Sequence, residues 1–270
     1  MKKMFIVVLF ITISSLYFAG SLTYGKFRIS FLDVGQGDAI FIRTPDDYTV
    51  LVDGGPSSKV LEQIAEVMPV YSRTIDILIL THPHSDHVNG LTEITKRYVV
   101  KKAFITGVDY YNPYYTKLLS LFNEKKIPVY FAKADNDFKI GKNVYLDFVW
   151  PSVPIAGRKF ENVNNSSIAL RVIYKDKIIF LGGDAEQEQE NEMINSGFNL
   201  SADILKAGHH GSRTATQDEF LDKVDPRIVV IQSGTGNSYK HPHKEILEKL
   251  FDRNIEIRRN DKEGRIDFIF

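Results

Sequence analysis

The chain has 270 residues with 43% hydrophobic content, enough to bury a sizeable core without disulfide or metal staples. Its 34 basic and 34 acidic residues cancel, so no global field draws it to nucleic acid or anionic lipid, although a local basic patch stays open. Cysteine is absent, which excludes disulfides, thiolate zinc sites and cysteine nucleophiles together. Any metal must be held by histidine and oxygen.

Lys2 and Lys3 precede an uncharged stretch, 4–25, whose centre, 5–19, is strongly apolar. A charged start followed by an apolar run is the pattern of a secretory signal, and Ala19-Gly20-Ser21 is a tolerable cleavage site. Uncleaved, the stretch is just long enough to anchor the chain in a membrane. Residues 1–25 are therefore assigned to a signal peptide or N-terminal membrane anchor, and 26–270 to one folded domain. That domain is expected to be secreted or to sit on the extracellular face of the membrane.

Residues 27–33, 39–44 and 49–53 read as three strands, parted by the Gly-rich DVGQGD and the polar PDDY. A helix follows over 60–68. The run 75–80, apolar except for Asp76, ends directly at THPHSDH, as a buried strand delivering a loop to a site would. Helices are predicted over 91–97 and 114–123, with a strand at 102–106 between them. The second half repeats this logic. Strands at 144–150, 167–174 and 177–181 lead to an acidic helix over 185–195, capped near Asp184. Strands at 202–207 and 227–232 end at His- or Gly-containing loops, helices occupy 216–224 and 244–251, and strands at 256–259 and 265–270 close the chain. No linker separates the halves, which implies two packed sheets with helices outside.

All seven histidines lie in three short loops, 82/84/87, 209/210 and 241/243, each after a predicted strand. Imidazoles clustered at strand ends with interleaved carboxylates are what a metal site requires. In His82-Pro83-His84-Ser85-Asp86-His87, alternation puts His82 and His84 on one side of an extended loop, able to share a metal. Asp86 and His87 then turn toward a second. Nitrogen and carboxylate donors suit zinc, with manganese or iron open.

The HxHxDH pattern after a strand resembles the metallo-β-lactamase superfamily over essentially all of 26–270. FLDVGQGDAIFI, LVDGG, LTHPHSDH, NNSSIAL, FLGGDAE, LKAGHHGS and SGTGNSYKHP resemble, in this order, the hydrolase domain of ComEC-type DNA-uptake competence proteins. The resemblance implies an α+β fold, a four-layer αββα sandwich of two mixed sheets with helices on the outer faces. It implies two divalent metal ions held by His82, His84, Asp86, His87, Asp184 and His241, with Asp184 bridging. His209 and His210 become phosphate-facing residues, one of them a candidate general acid, while His209 as a ligand stays open. Asp53 resembles the aspartate that orients the histidine loop. Asp33 and Asp38 are candidates to line the site, although a Gly-flanked turn explains them equally well. His243 is expected at an exposed helix start.

One departure stands out. Where most of the superfamily supplies a third histidine to the first metal, this chain has Asn164 and Asn165, as ComEC-like relatives do. An amide oxygen is a poorer zinc ligand than imidazole, so the His82/His84 side is expected to bind more loosely. Two metals near 4 Å apart lower the pKa of a bridging water and neutralise charge on a phosphoryl or carbonyl oxygen, giving hydrolysis by a metal-bridging hydroxide. Lys206, Arg213 and Lys240 are candidates for a phosphate-binding rim. The resemblance implies an exported phosphodiesterase or nuclease, with DNA among its substrates and no obligate protein partner evident. A lactone or lactam hydrolase and a non-catalytic metal-binding module are the alternatives.

Overall fold

The computed structural model of the protein describes residues 25–69 and 71–270, so the apolar signal or anchor segment lies outside the described residues up to position 24. The first half supplies β1 (Arg28–Phe31), β2 (Ile40–Arg43), β3 (Thr49–Val52), α1 (Lys59–Val67), β4 (Thr74–Ile75), β5 (Ile77–Ile79), α2 (Ser85–Arg97), β6 (Val99–Val100), β7 (Ala103–Ile105), α3 (Pro113–Glu124) and β8 (Val129–Phe131). The second supplies β9 (Phe138–Ile140), β10 (Val144–Trp150), β11 (Ala169–Tyr174), β12 (Lys177–Leu181), α4 (Gln187–Asn195), β13 (Ile204–Lys206), α5 (Asp218–Val224), β14 (Ile228–Ile231), α6 (Lys244–Asp252), β15 (Glu256–Arg259), α7 (Asn260–Glu263) and β16 (Ile266–Ile269).

Two seven-stranded sheets result, ordered β16-β1-β2-β3-β5-β7-β8 and β15-β14-β13-β12-β11-β10-β9. Each is mixed. In the first, β16, β1, β2 and β3 pair antiparallel and β3, β5, β7 and β8 parallel. In the second, β9 to β12 pair antiparallel and β12 to β15 parallel. The last strand crosses back to pair with β1, from Arg28 opposite Ile269 to Phe31 opposite Ile266.

Three apolar cores define four layers. Between the sheets, Ile40, Ile42, Val50 and Val52 meet Leu146, Phe148, Leu170, Val172 and Ile179. Outside the first sheet, Phe41, Leu51 and Leu78 pack on Ile64, Leu91 and Leu118 of α1 to α3. Outside the second, Phe180, Leu205 and Val229 pack on Met193, Phe220 and Ile246 of α4 to α6. Successive side chains of a strand point to opposite faces, so β2 with both faces covered carries no polar face before Arg43. This is the αββα sandwich anticipated from the sequence. Among the described residues no helix is long and apolar enough to cross a membrane.

Several element boundaries differ from expectation. The 75–80 run is broken at Asp76, whose Oδ2 accepts from Thr49 N (2.8 Å) and Thr49 Oγ1 (3.0 Å), leaving β4 to pair with β6 apart from the main sheet. Strands β8 and β9 were not foreseen. All three residues of β8 are exposed, so no buried periodicity marks it. Helix α2 starts at Ser85, inside the histidine motif rather than at 91. Helix α4 starts at Gln187 with Glu186 as N-cap, so Asp184 does not cap it.

Glu190, buried in α4, accepts from Thr216 N (2.6 Å) and Gln217 N (3.0 Å). Burial nevertheless pushes its carboxyl up to about 7. A carboxyl raised in the folded state holds a proton that the unfolded chain has already released. Its stabilising contribution is full below the ordinary value of 4.5 and is lost as pH rises through about 7. Relative to Glu190→Gln, the wild type will lose on the order of 3 kcal/mol across that window. Urea unfolding at several pH values checks this, and a pH-independent difference contradicts it.

Candidate metal centre

Strand β3 leads directly into Asp53, held in the left-handed region at φ 57°. Its Oδ1 accepts from Thr81 N (2.8 Å), and its Oδ2 from Thr81 Oγ1 (2.7 Å) and His87 Nδ1 (2.8 Å). β5 delivers His82 and His84, His84 being the N-cap of α2, and the first helical turn presents Asp86 and His87. The helix can lie on the Asp53 loop because Gly90 and Gly54 touch: a Cβ at Gly90 would stand 1.8 Å from Gly54 O.

The second half brings three loops to the same end of the sandwich. Asp184 follows β12, its N–H donating to Ser167 Oγ (3.1 Å). His209 and His210 follow β13 between Gly208 and Gly211, at φ 45° and 56°. Left-handed backbone costs a non-glycine residue roughly 1–2 kcal/mol, so this consecutive pair is strain held by the surrounding fold. After β14, the Gln232 carbonyl accepts from His210 Nδ1 (3.0 Å). Both His87 and His210 therefore have Nδ1 tied behind them and Nε2 facing forward, which is how metal-binding imidazoles are oriented.

Asp86, His87, Asp184 and His210 each offer one donor atom, all within 4.8 Å of one another. Asp184 Oδ2 lies 3.2 Å from His87 Nε2 and 3.1 Å from His210 Nε2, and Asp86 Oδ2 lies 3.2 Å from His210 Nε2 and 4.0 Å from His87 Nε2. Two ligands at 2.0–2.1 Å from a tetrahedral centre stand about 3.3 Å apart. The donor set therefore fits a divalent cation in both chemistry and spacing. On the other side of His87, whose ring centroid lies 4.2 Å from that of His82, His82 Nε2 and His84 Nδ1 converge at 3.1 Å.

The electrostatics agree. Burial opposes charge on His87, but Asp184, Asp53 and Asp86 outweigh it and raise this imidazole well above its ordinary value. Asp184 and Asp38 do the same for His210. These two imidazoles and Lys206 in turn hold the Asp184 carboxyl well down against its burial. The carboxylates thus favour positive charge in this space, as a cation-binding site does. Burial first, and His87 second, push His82 and His84 down, and burial pushes His241 down to about 4. At neutral pH these three rings are uncharged, with lone pairs to donate.

The cluster floors a cavity of about 310 Å³ lined by Gln36, His84, Asp86, Asp184, His209, His210, Tyr239 and His241. His210 takes the place in the four-donor group that the sequence reading gave to His241. His241 lies outside that group at the cavity wall, with a buried Nδ1 that has no hydrogen-bond partner. His209 pairs through Nδ1 with Glu186 (3.1 Å). Asn164 Nδ2 donates to the same carboxylate (2.7 Å) while its Oδ1 is buried without a partner, and Asn165 bridges Glu186 N and Glu188.

Three expected placements are corrected. Lys206 does not stand on a rim: its ammonium is fully buried between Asp38 Oδ2 and Asp184 Oδ1, where only a cation could sit between two carboxylates. Asp33 turns away from the site to Lys59 (2.9 Å), whereas Asp38 is buried beneath it. His243 is half-buried rather than exposed, its Nδ1 accepting from Arg213 N (3.0 Å). Arg213 itself is exposed beside Glu245. Thr81, Ser167, Glu186, Tyr239 and Gln232 escaped the sequence reading. The first four lie within motifs already singled out, which was their available signal; Gln232, whose carbonyl holds His210 while its side chain donates to Leu32 O and Ala39 O, lies in none of them.

The family model described as the metallo-beta-lactamase superfamily matches residues 32–234. The chain is 31% identical over 258 residues to ComE operon protein 3 of Bacillus subtilis, covering 89% of this chain and 33% of that protein. It is 26% identical over 242 residues to competence protein ComA of Neisseria gonorrhoeae, covering 87% and 31%. It thus spans about a third of the length of these curated relatives. Among solved structures, the metallo-beta-lactamase fold protein YhfI from Bacillus subtilis superposes with a TM-score of 0.58 at 14% identity, over 90% of this chain and 100% of that one, a likeness of fold. The chain belongs to the metallo-β-lactamase superfamily and resembles its ComEC-type competence members.

Proposed function

We propose that the protein is an exported metal-dependent phosphodiesterase acting on nucleic acid, with Asp86, His87, Asp184 and His210 as one metal site and His82 and His84 as the core of a second. The observation that carries this reading is His209, an imidazole outside the four-donor cluster yet at its cavity, held by Glu186. Bound divalent metal supplies an acidic water and neutralises charge on a phosphoryl oxygen. The protein's own residues do the rest. Burial raises the Glu186 carboxyl, but its hydrogen bonds from His209 and Asn164 hold it at about 2, so it stays a carboxylate and fixes His209 by Nδ1. Doubly protonated, His209 would carry on Nε2 the proton handed to the departing oxygen, and the neutral ring left behind, its Nδ1–H on Glu186, would accept at Nε2 from Asn164 Nδ2 (3.5 Å). A lactam or lactone does not need this second imidazole. The apolar N-terminal segment supports placement outside the cytoplasm.

Hydrolysis of bis-p-nitrophenyl phosphate and single-stranded DNA tests the reading. The wild type, loaded with zinc or manganese, is expected to turn over both, and Asp86→Ala to lose at least about a thousandfold in kcat/KM. Equal inertness of both proteins on every phosphodiester sinks it.

A further inference from the structure

An unbroken run of ring contacts links the site to two tyrosines. Tyr110 meets His84 edge-on at 5.6 Å, His84 meets His82 at 4.8 Å and His82 meets His87 at 4.2 Å. His87 then meets His210 at 5.4 Å, His210 meets His241 at 6.3 Å, and His241 meets Tyr239 at 5.7 Å with ring planes 24° apart. Tyr239 therefore stands at one end of the run. It lines the cavity, is 64% exposed, and is backed by the buried His241 ring.

Nothing in the hydrolytic chemistry needs a tyrosine there. A ring already stacked on one side has less rotamer freedom to lose when a ligand covers it. Next to a cavity that receives a phosphoryl group, the π-face that complements such a ring is a nucleobase on the adjoining nucleotide. The exposed Lys240 follows it in sequence and offers a cation to a phosphate backbone beside that ring.

We propose that Tyr239, backed by His241, stacks a nucleobase beside the bound phosphate, and that the strand entering the site is single-stranded at that point. In a duplex each base face is covered by its neighbour, and only an unstacked base can offer one to a side chain. The proposal rests on the phosphodiesterase reading and names the substrate class within it.

The test is fluorescence anisotropy with the metal-loaded full-length protein and two hydrolysis-resistant phosphorothioate strands, a twelve-nucleotide oligothymidylate and an abasic strand of equal length. The wild type is expected to prefer the base-bearing strand by about tenfold or more. Tyr239→Ala and Tyr239→Leu are expected to abolish the preference, and Tyr239→Phe to keep it, with thermal melts confirming that each variant folds. Equal wild-type affinity for the two strands, no binding of either, or an undiminished preference in Tyr239→Leu overturns the proposal. Binding is read without turnover, so failure here is separable from failure of the hydrolysis assay with Asp86→Ala.

Discussion

Alanine in place of His210 will lower divalent-metal affinity by about a hundredfold or more, while His241→Ala will lower it by less than about tenfold. The asymmetry follows from placement. His210 Nε2 lies 3.1 Å and 3.2 Å from two carboxylates and has its Nδ1 spent on the Gln232 carbonyl, so its lone pair is aimed at the cluster. His241 lies outside the group of donors that converge. Zinc titration against a chromophoric chelator compares both variants with the wild type. The inverse ranking would return the last ligand to His241.

Lys206→Met will destabilise the metal-free protein by about 3–5 kcal/mol, because it removes the ammonium that two buried carboxylates share and leaves their charge to the neighbouring imidazoles alone. Asp38, Asp184 and Lys206 are each about 1% exposed, so solvent cannot replace the lost cation. The two carboxylates raise the Lys206 ammonium against its burial, which favours the charged form. Saturating zinc should restore part of the loss, since a dication beside Asp184 takes over the balancing charge. Urea unfolding in chelator and in zinc reads both effects. Equal stability of variant and wild type in chelator would show that the ammonium balances nothing.

These expectations sharpen the asymmetry visible in the sequence. The Asp86/His87 side acquires Asp184 and His210 at ligand spacing. The His82/His84 side gains a 3.1 Å pair of ring nitrogens but no third imidazole, and Asn164, the residue standing in the usual place, is engaged with Glu186. A lower affinity on that side follows from ligand number alone.

By itself the sequence determined what depends on local pattern. Alternating and continuous apolar runs marked most strands, and helical periodicity marked α1, α3 and α6. The gathering of all seven histidines into three loops after strands pointed to a metal site, and the HxHxDH motif carried the resemblance to its family. The tertiary structure decided whatever depends on which loop end meets which. Sequence spacing cannot say whether His209, His210 or His241 faces a carboxylate more than a hundred residues away. That choice is made by the left-handed turn at 209–210 and by the Gln232 carbonyl behind it. Nor could local pattern bury Lys206, since an ammonium becomes an interior residue only when Asp38 and Asp184 arrive from two different sheets to surround it. The same holds for β16, whose pairing with β1 spans the whole chain, and for β8, whose exposed residues carry no periodicity. Local propensity is written in neighbours along the chain, whereas charge balance and ligand aim are set by neighbours in space.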